Sequence, residues 1–500
     1  MDIQSDQNLL IGDKPKCHCG VFGIFDNNTA AINTYYGLLA LQHRGQEASG
    51  IVTQDINQKG HSVFNVHKGE GLVSEVFSNP KIIKEVLTGR AAIGHNRYST
   101  TGSSNSKKNT QPFVVNYRLG NLAVAHNGNL TNARELRREL VNEGAIFQTT
   151  SDTEVILHLI ARSKLDNQID QIKEALARVE GAYCLAILAD DKLIAARDSY
   201  GFRPLSIGKV NGSFVIASET CAFDIIAAKF IREVEPGEIV VIDKDVTDAS
   251  KIKSFRFNDR KFPKKNCIFE YIYFSRPDSF IFGHNVDKMR RRLGKILARK
   301  YPVIDKDGEK VIVISVPDSS NTIALGYQTE LEKEGINSRL EIGLIRSHYI
   351  GRTFIQPGQA NREIGVRIKF NIVKGVIEGR TVVVVDDSIV RGTTSRQLVN
   401  LIKEAEPKEI HLRISSAPIT HPCYYGMDFP SKEELIAYQM NGDVSAIEKY
   451  LGVDSLRYLT VDEMLEAVSE AGTNNFCVAC FSGAYPTNID AGFKKDIYEL

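Results

Sequence analysis

The sequence predicts a two-domain protein of mixed α/β class, an α+β half followed by an α/β half with a parallel sheet. Its 500 residues are more than one ordinary hydrophobic core holds. Short apolar or alternating runs crowd residues 19–245, whereas from residue 266 onward apolar runs alternate with helical patterns. Between them, residues 246–265 are polar and rich in lysine and are predicted to form the linker.

The first half is predicted to be mostly β-structure. Gly, Asn and Asp clusters separate its apolar runs, as turns between strands require. Two helices are expected, over about residues 132–142 and 151–163, the second capped by Ser151 or Asp152. The predicted strands are Gly20–Phe25, Ala91–His95, Leu122–His126, Ala182–Ala189, Leu193–Arg197 and Ser213–Ala217.

The second half changes to the strand–helix alternation that is typical of a parallel sheet with helices on both faces. Helices are predicted near residues 321–334 and 395–405, and a helical tail over residues 431–471 begins at a Ser431 cap. The predicted strands are Val311–Val316, Glu341–Ile345, Thr381–Val385 and Ile410–Ser415.

Composition and charge exclude several classes of protein. With 62 basic and 61 acidic residues, no bulk charge draws the chain to nucleic acid. No apolar stretch is long enough to span a bilayer, and residues 1–18 lack the basic start and apolar segment of a secretory signal. We therefore expect no nucleic-acid or membrane partner, a cytoplasmic location and reduced thiols.

Residues 382–395 carry the most specific motif of the second half. Four valines run without polar alternation into Asp386 and Asp387, which suits a strand buried on both faces. A Gly392-Thr-Thr-Ser395 turn follows, and its N–H groups and hydroxyls at a helix start suit a phosphate. Because open α/β sheets bind ligands at the carboxyl ends of their strands, the string indicates a sugar-phosphate site. The alternative is a buried strand capped by a polar turn.

This string resembles the phosphoribosyl-pyrophosphate (PRPP) motif of type I phosphoribosyltransferases. The resemblance implies that the paired carboxylates bind the ribose hydroxyls and that the following turn binds the 5′-phosphate. The residues implied in PRPP binding are Asp386, Asp387, Ser388, Arg391, Gly392, Thr393, Thr394 and Ser395.

In the first half, a cysteine opens the first predicted strand, and four polar clusters follow it. The strand begins Cys19-Gly-Val-Phe-Gly. Singly, each cluster has a structural reading; Asn127-Gly128 is typical of a hairpin turn and Asp152 of a helix cap. The clusters are Gln42–Gln46, His95–Thr100, His126–Asn129 and Ser151–Glu154.

In this order and spacing, the cysteine and the clusters resemble the class II, N-terminal-nucleophile (Ntn) glutamine amidotransferases. The resemblance implies an αββα Ntn-hydrolase glutaminase domain over residues 19–245 and removal of residues 1–18 as a propeptide. The freed α-amine of Cys19 would then act as the base for its own thiol, which attacks the glutamine amide.

The same resemblance implies roles for five further residues of the glutaminase domain. Asn127 and the N–H of Gly128 are the implied oxyanion donors. Arg97 is implied to bind the glutamine α-carboxylate and Asp152 the α-ammonium. Arg44 is implied to order the glutamine pocket.

A glutaminase half joined to a PRPP-binding half resembles the amidophosphoribosyltransferase family over nearly the whole chain. The resemblance implies that ammonia released at Cys19 travels internally to C1 of PRPP, giving 5-phosphoribosylamine, glutamate and pyrophosphate. This reaction is the first committed step of purine synthesis. The resemblance further implies a homotetramer inhibited by purine nucleotides, and a phosphoribosyltransferase domain over residues 266–500 whose tail holds a metal cluster.

Further PRPP-site residues follow from the same resemblance. Mg²⁺ is implied at Ser319, Asp386 and Asp387, where it would neutralise the departing pyrophosphate. The stretch from Arg346 resembles the start of the family's flexible loop. Its Arg352, with Lys369 on the return, would add positive charge.

Four of the eight cysteines suggest a metal site near the C-terminus. Cys477 and Cys480 form a C-x-x-C pair, for which zinc, a redox pair and plain core are all open. With Cys267 and Cys423, four thiolates would hold zinc or a [4Fe–4S] cluster. Resemblance to the iron–sulfur-containing branch of the family implies the [4Fe–4S] cluster, in a structural or oxygen-sensing role.

Two other functions compete with this interpretation. A hexosamine-phosphate synthase would share the glutaminase half but needs sugar-isomerase repeats in place of the Asp386-Asp387 string. A PRPP-binding regulator or metal-cluster sensor without catalysis would not need Cys19, Arg97, Asn127 and Asp152 together.

Overall fold

The structure is a computed structural model that describes residues 19–98, 107–258, 260–347, 367, 369–429, 431–471 and 473–489. The predicted propeptide, residues 1–18, and the predicted PRPP contact Arg352 lie outside the described residues. None of the described helices is long and apolar enough to cross a membrane.

Two antiparallel sheets form the first half. In spatial order, the seven strands of the first sheet are Lys229–Glu233, Ser206–Val210, Ser213–Ala217, Gly20–Phe25, Ala91–Arg97, Ala48–Ile56 and Ser62–Glu70. The six strands of the second sheet are Lys253–Arg256, Glu238–Asp243, Lys192–Arg197, Gly181–Ala189, Gly120–Leu130 and Phe113–Tyr117.

Because apolar residues alternate along the strands, the two sheets pack face to face and helices cover their outer faces, which gives four layers. Val21 of the first sheet packs against side chains of the second, whereas its neighbour Phe22 packs on the outer face against the helix Ala30–Ala40. The outer face of the second sheet is covered by the helices Ala133–Asn142, Thr153–Arg162 and Gln168–Arg178. The predicted αββα fold is confirmed.

A parallel sheet forms the centre of the second half, as predicted. Its strands, in spatial order, are Ser338–Leu340, Val311–Ser315, Thr381–Asp386, Glu409–Ile414 and Ser455–Tyr458. Val383 packs on the face covered by the helices Val286–Lys300 and Asn321–Lys333. Val384 packs on the opposite face, against the helices Thr393–Lys403 and Val444–Leu451. The sheet is therefore buried on both sides, as its unbroken valine run predicts.

The remaining elements are short. Paired two- or three-residue strands are Asn266–Cys267 with Phe476–Cys477, Phe280–Ile281 with His284–Asn285, and Leu344–Arg346 with Phe370–Ile372. Short helices are Val73–Val76, Ile82–Val86, Lys107–Asn109, Cys221–Asp224, Ala249–Lys251, Glu270–Phe274, Lys374–Ile377, Lys432–Glu434, Ile436–Gln439, Val461–Ala467, Ser469–Ala471, Thr473–Asn475 and Ala479–Ser482.

Three predicted elements differ from the structure. The linker stretch contains the strand Lys253–Arg256, which pairs with Glu238–Asp243 as an edge strand of the second sheet. The strand predicted at Glu341–Ile345 is Leu344–Arg346 and pairs outside the parallel sheet. The tail predicted as helical contains the strand Ser455–Tyr458, which forms an edge of the parallel sheet. All three are short edge elements, for which pairing with a neighbour outweighs local propensity.

Candidate active site

The Cys19 thiol is buried at the start of the central strand of the first sheet. Its side chain is 4% exposed, and Sγ donates to the carbonyl oxygen of Tyr98 at 3.4 Å. Burial raises the pKa of the thiol to about 11, and the nearby charges of Arg97, which lowers it, and Asp152, which raises it, also act on it. The structure thus brings three of the predicted glutaminase residues together.

Asn127 and Gly128 lie inside the strand Gly120–Leu130, so their reading as a hairpin turn is wrong. Gly128 has φ 150°, and a Cβ there would lie 2.0 Å from the carbonyl oxygen of Ala182, so only glycine fits. The carboxamide of Asn127 is buried and donates from Nδ2 to Ser218 Oγ at 3.3 Å.

Ser218 links Asn127 to the strand that carries the cysteine. Its Oγ also accepts the N–H of Val21 at 3.0 Å, two residues after Cys19. The two sheets therefore meet at the site, one contributing the thiol and the other the carboxamide.

Asp152 precedes the helix Thr153–Arg162, but its side chain makes no capping hydrogen bond there. Its Oδ2 instead accepts the N–H of Leu130 at 2.9 Å, and its Oδ1 lies 3.7 Å from His126 Nδ1. Burial opposes ionisation, yet the adjacent His126 and the N–H of Leu130 hold the pKa of Asp152 below its usual range. Asp152 is therefore a buried anion, as recognition of an ammonium requires.

Arg44 lies behind the cysteine, in a buried ionic network. Its guanidinium pairs with Glu219 and, at 2.7 Å, with Glu270, while Nε donates to the carbonyl oxygen of Cys19 at 3.4 Å. Glu270 also pairs with Arg203 at 3.2 Å. We name Arg44, Arg203, Glu219 and Glu270 the buried tetrad. Arg44 thus holds the backbone of Cys19, a positioning contact.

The second cluster of predicted residues lies at the carboxyl end of the strand Thr381–Asp386. Ser319 Oγ donates to Asp387 Oδ2 at 2.5 Å, and Ser388 Oγ donates to Asp387 Oδ1 at 2.7 Å. The neighbouring Ser320 donates to Asp386 Oδ1 at 3.0 Å. Hydroxyl donors hold both carboxylates at the same sheet edge, so the structure brings Ser319 together with the acidic pair.

The predicted phosphate turn runs into the helix Thr393–Lys403. Gly392 takes the left-handed conformation, with φ 77°, directly before the helix. Thr393, Thr394 and Ser395 form the first turn of the helix, and the N-terminus of a helix favours an anion.

Two of the basic residues predicted to bind PRPP, Arg391 and Lys369, lie among the described residues. Arg391 pairs with Glu434 at 2.9 Å. The carbonyl oxygen of Lys369 accepts the N–H of Ser347 at 2.9 Å, beside the paired strands that begin the predicted loop. These contacts place Lys369 at the base of that loop.

Four cysteines gather around one cavity between the tail and the start of the second half. Cys267, Cys423, Cys477 and Cys480 all line it. Cys267 and Cys477 face each other on paired strands, and burial raises the pKa of the Cys267 thiol to about 11. Among the described residues, no group of three or more Cys, His, Asp or Glu side chains has the arrangement of a formed metal site. The four donors of the predicted cluster are thus gathered at one cavity.

Similarity to known proteins covers both halves. A family model described as a glutamine amidotransferase domain matches residues 95–224. The chain is 48% identical to the amidophosphoribosyltransferase of Bacillus subtilis, over 94% of each chain. It is 49% identical to amidophosphoribosyltransferase 1, chloroplastic, of Arabidopsis thaliana, over 97% of this chain and 81% of that one.

A solved structure agrees with these relatives. The glutamine PRPP amidotransferase of B. subtilis in complex with ADP and GMP matches with a TM-score of 0.85 and 47% identity, over 95% of this chain and 98% of that one. The chain belongs to the amidophosphoribosyltransferase family. It is an enzyme, a glutamine-dependent phosphoribosyltransferase of the first step of purine biosynthesis. Membership of this family rules out the hexosamine-phosphate synthase alternative.

Several residues of this amidophosphoribosyltransferase site escaped prediction from the sequence. Ser218 is a single hydroxyl without a motif of its own. Glu270 lies in the apolar run Ile268–Ile272, a sequence signal that indicates a buried pair but names no partner. Glu219 lies between Ser218 and Thr220 and has no such signal.

Proposed function

We propose that Cys19 releases ammonia from glutamine and that the second half transfers it to C1 of PRPP. The observation that carries this proposal is the placement of one buried thiol beside Arg97 and Asp152, with the Asn127 carboxamide tied to the same strand through Ser218. A cation and an anion flanking a nucleophile suit the α-carboxylate and α-ammonium of an amino acid.

The thiol needs a base, because a thiol with a pKa of about 11 is protonated at neutral pH. We assign that role to the α-amine of Cys19, freed by removal of residues 1–18. The amine takes the thiol proton as sulfur attacks the amide carbon, and it returns the proton to the departing ammonia. Asn127 and the N–H of Gly128 stabilise the oxyanion, and water then hydrolyses the thioester to glutamate.

In the second half, Asp386 and Asp387 bind the ribose hydroxyls, while Ser388 and the turn of Arg391, Gly392, Thr393, Thr394 and Ser395 binds the 5′-phosphate. Ammonia attacks C1, and pyrophosphate leaves with the electrons of the C1–O bond. Lys369 and Arg352 contribute positive charge to the leaving group. This part of the proposal is supported by the hydroxyl-braced carboxylates at the sheet edge.

The acidic pair also fits a magnesium ion. Ser319 Oγ lies 2.5 Å from Asp387 Oδ2, and Ser320 Oγ lies 3.0 Å from Asp386 Oδ1 and 3.4 Å from Asp387 Oδ2. Hard cations prefer such oxygen ligands. When bound, Mg²⁺ would supply charge neutralisation for pyrophosphate.

Internal transfer of ammonia is supported by contact between the halves beside the cysteine. Tyr98, whose carbonyl oxygen accepts the Cys19 thiol, donates its hydroxyl to Asp428 of the second half at 3.5 Å. A path that starts at Cys19 therefore begins at a surface shared by the two halves.

The cysteine cavity fits a thiolate-bound metal group, because four sulfur donors line it. Cys267, Cys423, Cys477 and Cys480 would hold a [4Fe–4S] cluster, which would fasten the tail to the start of the second half; zinc is the lesser possibility. We expect iron and inorganic sulfide in protein purified without oxygen, and loss of both in Cys480→Ser but not in Cys184→Ser. Zinc alone in the parent protein would contradict the cluster.

Assembly, regulation and location complete the proposal. We propose a cytoplasmic homotetramer inhibited by purine nucleotides, a class to which the ADP and GMP named with the B. subtilis structure belong. Sedimentation velocity and inhibition by ADP and GMP, separately and together, test these points.

The deciding experiment compares Cys19→Ala with the parent protein in an assay of pyrophosphate release from PRPP. We expect the variant to lose at least ~10³-fold with glutamine and to keep its rate with free ammonia, since only the first step needs the thiol. Cys221→Ala, which removes another buried thiol, is the control and should behave as the parent. A folded Cys19→Ala protein that lost both activities would contradict the proposal.

Removal of residues 1–18 is tested separately by the intact mass of the purified protein. We expect a chain that begins at Cys19. An active enzyme that retains residues 1–18 would show that the base is another group.

A further inference from the structure

Ser218 joins the two sheets of the glutaminase half beside the predicted reacting groups. It directly follows the first-sheet strand Ser213–Ala217 and is fully buried. Its Oγ accepts two hydrogen bonds, from the N–H of Val21 at 3.0 Å and from Asn127 Nδ2 at 3.3 Å. Its own N–H donates to the carbonyl oxygen of Val21 at 3.0 Å. The hydroxyl oxygen thus has both acceptor positions filled, and its place relative to the cysteine strand is fixed.

The carboxamide of Asn127 depends on this contact for its orientation. Among the described residues, its Oδ1 has no hydrogen-bond partner although it is buried. The χ2 torsion of asparagine is broad, so packing alone defines the amide plane poorly. The bond to Ser218 holds one Nδ2 hydrogen and leaves the other directed elsewhere in the site, where an oxyanion would accept it.

The next residue fixes Ser218 in turn. Glu219 is fully buried, and its Oε2 accepts the N–H of Arg276 at 2.9 Å and the hydroxyl of Ser279 at 2.7 Å, both from the second half. Its Oε1 meets Arg44 and, at 2.7 Å, His43 Nε2. Ser218 therefore stands on a backbone segment that several charged and polar groups hold in place.

We propose that Ser218 is a positioning residue of the glutaminase step, which orients the Asn127 carboxamide toward the developing oxyanion. This proposal rests on the functions proposed for Cys19 and Asn127. Ser218 touches neither the substrate nor the thiol; it acts through Asn127. Its effect belongs to the transition state, in which the oxyanion forms, so it should change kcat for glutamine hydrolysis and leave KM nearly unchanged.

The matched control is Ser213, at the other end of the same strand. Its hydroxyl accepts an asparagine amide as well, Asn27 Nδ2 at 3.1 Å, and donates to the carbonyl oxygen of Asp26 at 2.6 Å. Ser213→Ala therefore removes the same kind of buried hydrogen bond without touching Asn127. A purely structural effect should be similar in the two variants.

The experiment measures glutamine hydrolysis and ammonia-dependent synthesis in Ser218→Ala and Ser213→Ala. We expect Ser218→Ala to lower kcat for glutamine by about 10- to 100-fold, less than complete removal of an oxyanion donor. KM for glutamine and the ammonia-dependent rate should stay within about twofold of the parent, as should every parameter of Ser213→Ala. Equal glutaminase rates in the two serine variants would overturn the proposal.

A double-mutant cycle separates action through Asn127 from a general loss of order. In an Asn127→Ala background, the further change Ser218→Ala should have less than a twofold effect, because its target is already gone. A loss of the same size in both backgrounds would overturn the proposal. If Ser218→Ala does not fold, Ser218→Cys replaces it in both measurements, since sulfur is nearly isosteric but a weak acceptor.

Two chemical probes of Cys19 test the role of Ser218 within one and the same folded variant. Alkylation of Cys19 by iodoacetamide forms no oxyanion, whereas inactivation by a diazoketone analogue of glutamine places a carbonyl oxygen at the oxyanion position. Ser218→Ala should slow the second reaction and leave the first unchanged; slowing of both equally would overturn the proposal. The proposed function fails on a different result, namely full glutaminase activity in Cys19→Ala or Asn127→Ala.

Discussion

The surroundings of the Cys19 sulfur determine what else the reaction needs. Burial raises the pKa of the thiol by more than the nearby Arg97 lowers it, so the neutral thiol prevails at neutral pH. Many catalytic cysteines instead have a lowered pKa beside a histidine or a helix N-terminus. The base proposed here, an α-amine freed by removal of residues 1–18, would explain how a neutral thiol becomes reactive.

The charge of Asp152 gives a first prediction. Asp152→Asn should raise KM for glutamine about 10- to 100-fold, because a charge-assisted bond to the α-ammonium becomes a neutral one. Ammonia-dependent synthesis should not change. Asp198→Asn is the control, since Asp198 is equally buried but its carboxylate accepts the N–H groups of Tyr183, Tyr200, Gly201 and Phe202, none of them a predicted glutamine-site residue. An unchanged KM in Asp152→Asn would remove Asp152 from the glutamine site.

His95 gives a prediction about pH. Burial lowers its pKa to about 3, so the imidazole stays neutral in the folded state. In the unfolded chain the same imidazole takes up a proton near pH 6.5. The unfolded state therefore binds more protons as the pH falls, and stability is lost between pH 6.5 and 3. From pH 7 to pH 5 this amounts to about 2 kcal/mol.

Urea unfolding of the parent and His95→Gln at both pH values measures this contribution. The variant, whose amide does not titrate, should lose less stability on acidification than the parent by about the same 2 kcal/mol. Equal losses in the two proteins would show that His95 is protonated in the folded state.

At the scale of elements, the conformation of the predicted phosphate turn depends on one glycine. Gly392 has φ 77°, and a Cβ at this position would lie 2.4 Å from Ile436 Cδ1. A side chain there is strained by about 1–2 kcal/mol in the left-handed region, before the clash is counted.

Gly392→Ala should therefore raise KM for PRPP about tenfold or more, while glutamine hydrolysis without PRPP stays near the parent rate. Gly375→Ala is the control, because an added Cβ meets no atom within 4 Å there. PRPP kinetics that remain normal in Gly392→Ala would place the phosphate elsewhere.

How much the sequence predicts also differs from element to element. The valine run into Asp386 and Asp387 predicted a strand buried on both faces, which is confirmed, because such burial leaves a local pattern in the sequence. The ligand site at the carboxyl end of this strand stays a prediction. Asn127-Gly128 has the composition of a turn but forms the interior of a strand, because pairing with Gly181–Ala189 outweighs local preference. Ser218 is 91 residues from Asn127, so only the folded structure shows that they meet.

At the scale of the whole molecule, the buried tetrad ties the halves together behind Cys19. Its two arginines and two glutamates balance in charge and are at most 1% exposed. Glu270 belongs to the second half and also accepts Ser275 Oγ at 2.7 Å, while Arg203 reaches the carbonyl oxygen of Tyr425 at 2.8 Å. The buried charges of the first half are thus balanced by Glu270 of the second half, and without the other half they would not cancel.

Removing one charge from the tetrad should therefore weaken both activities together. Glu270→Gln leaves a net positive charge buried with Arg44 and Arg203, and we expect a loss of about 3 kcal/mol in the free energy of unfolding. Lys306→Gln, which breaks an ion pair whose lysine is 79% exposed, should change stability by less than about 1 kcal/mol.

Thermal inactivation of Glu270→Gln, monitored both by glutamine hydrolysis and by ammonia-dependent synthesis, shows whether the two halves lose their activities together. Because Glu270 contacts the arginine behind Cys19 and lies in the second half, both activities should disappear at the same, lowered temperature. Loss of glutamine hydrolysis alone would mean that the second half keeps its fold without the tetrad.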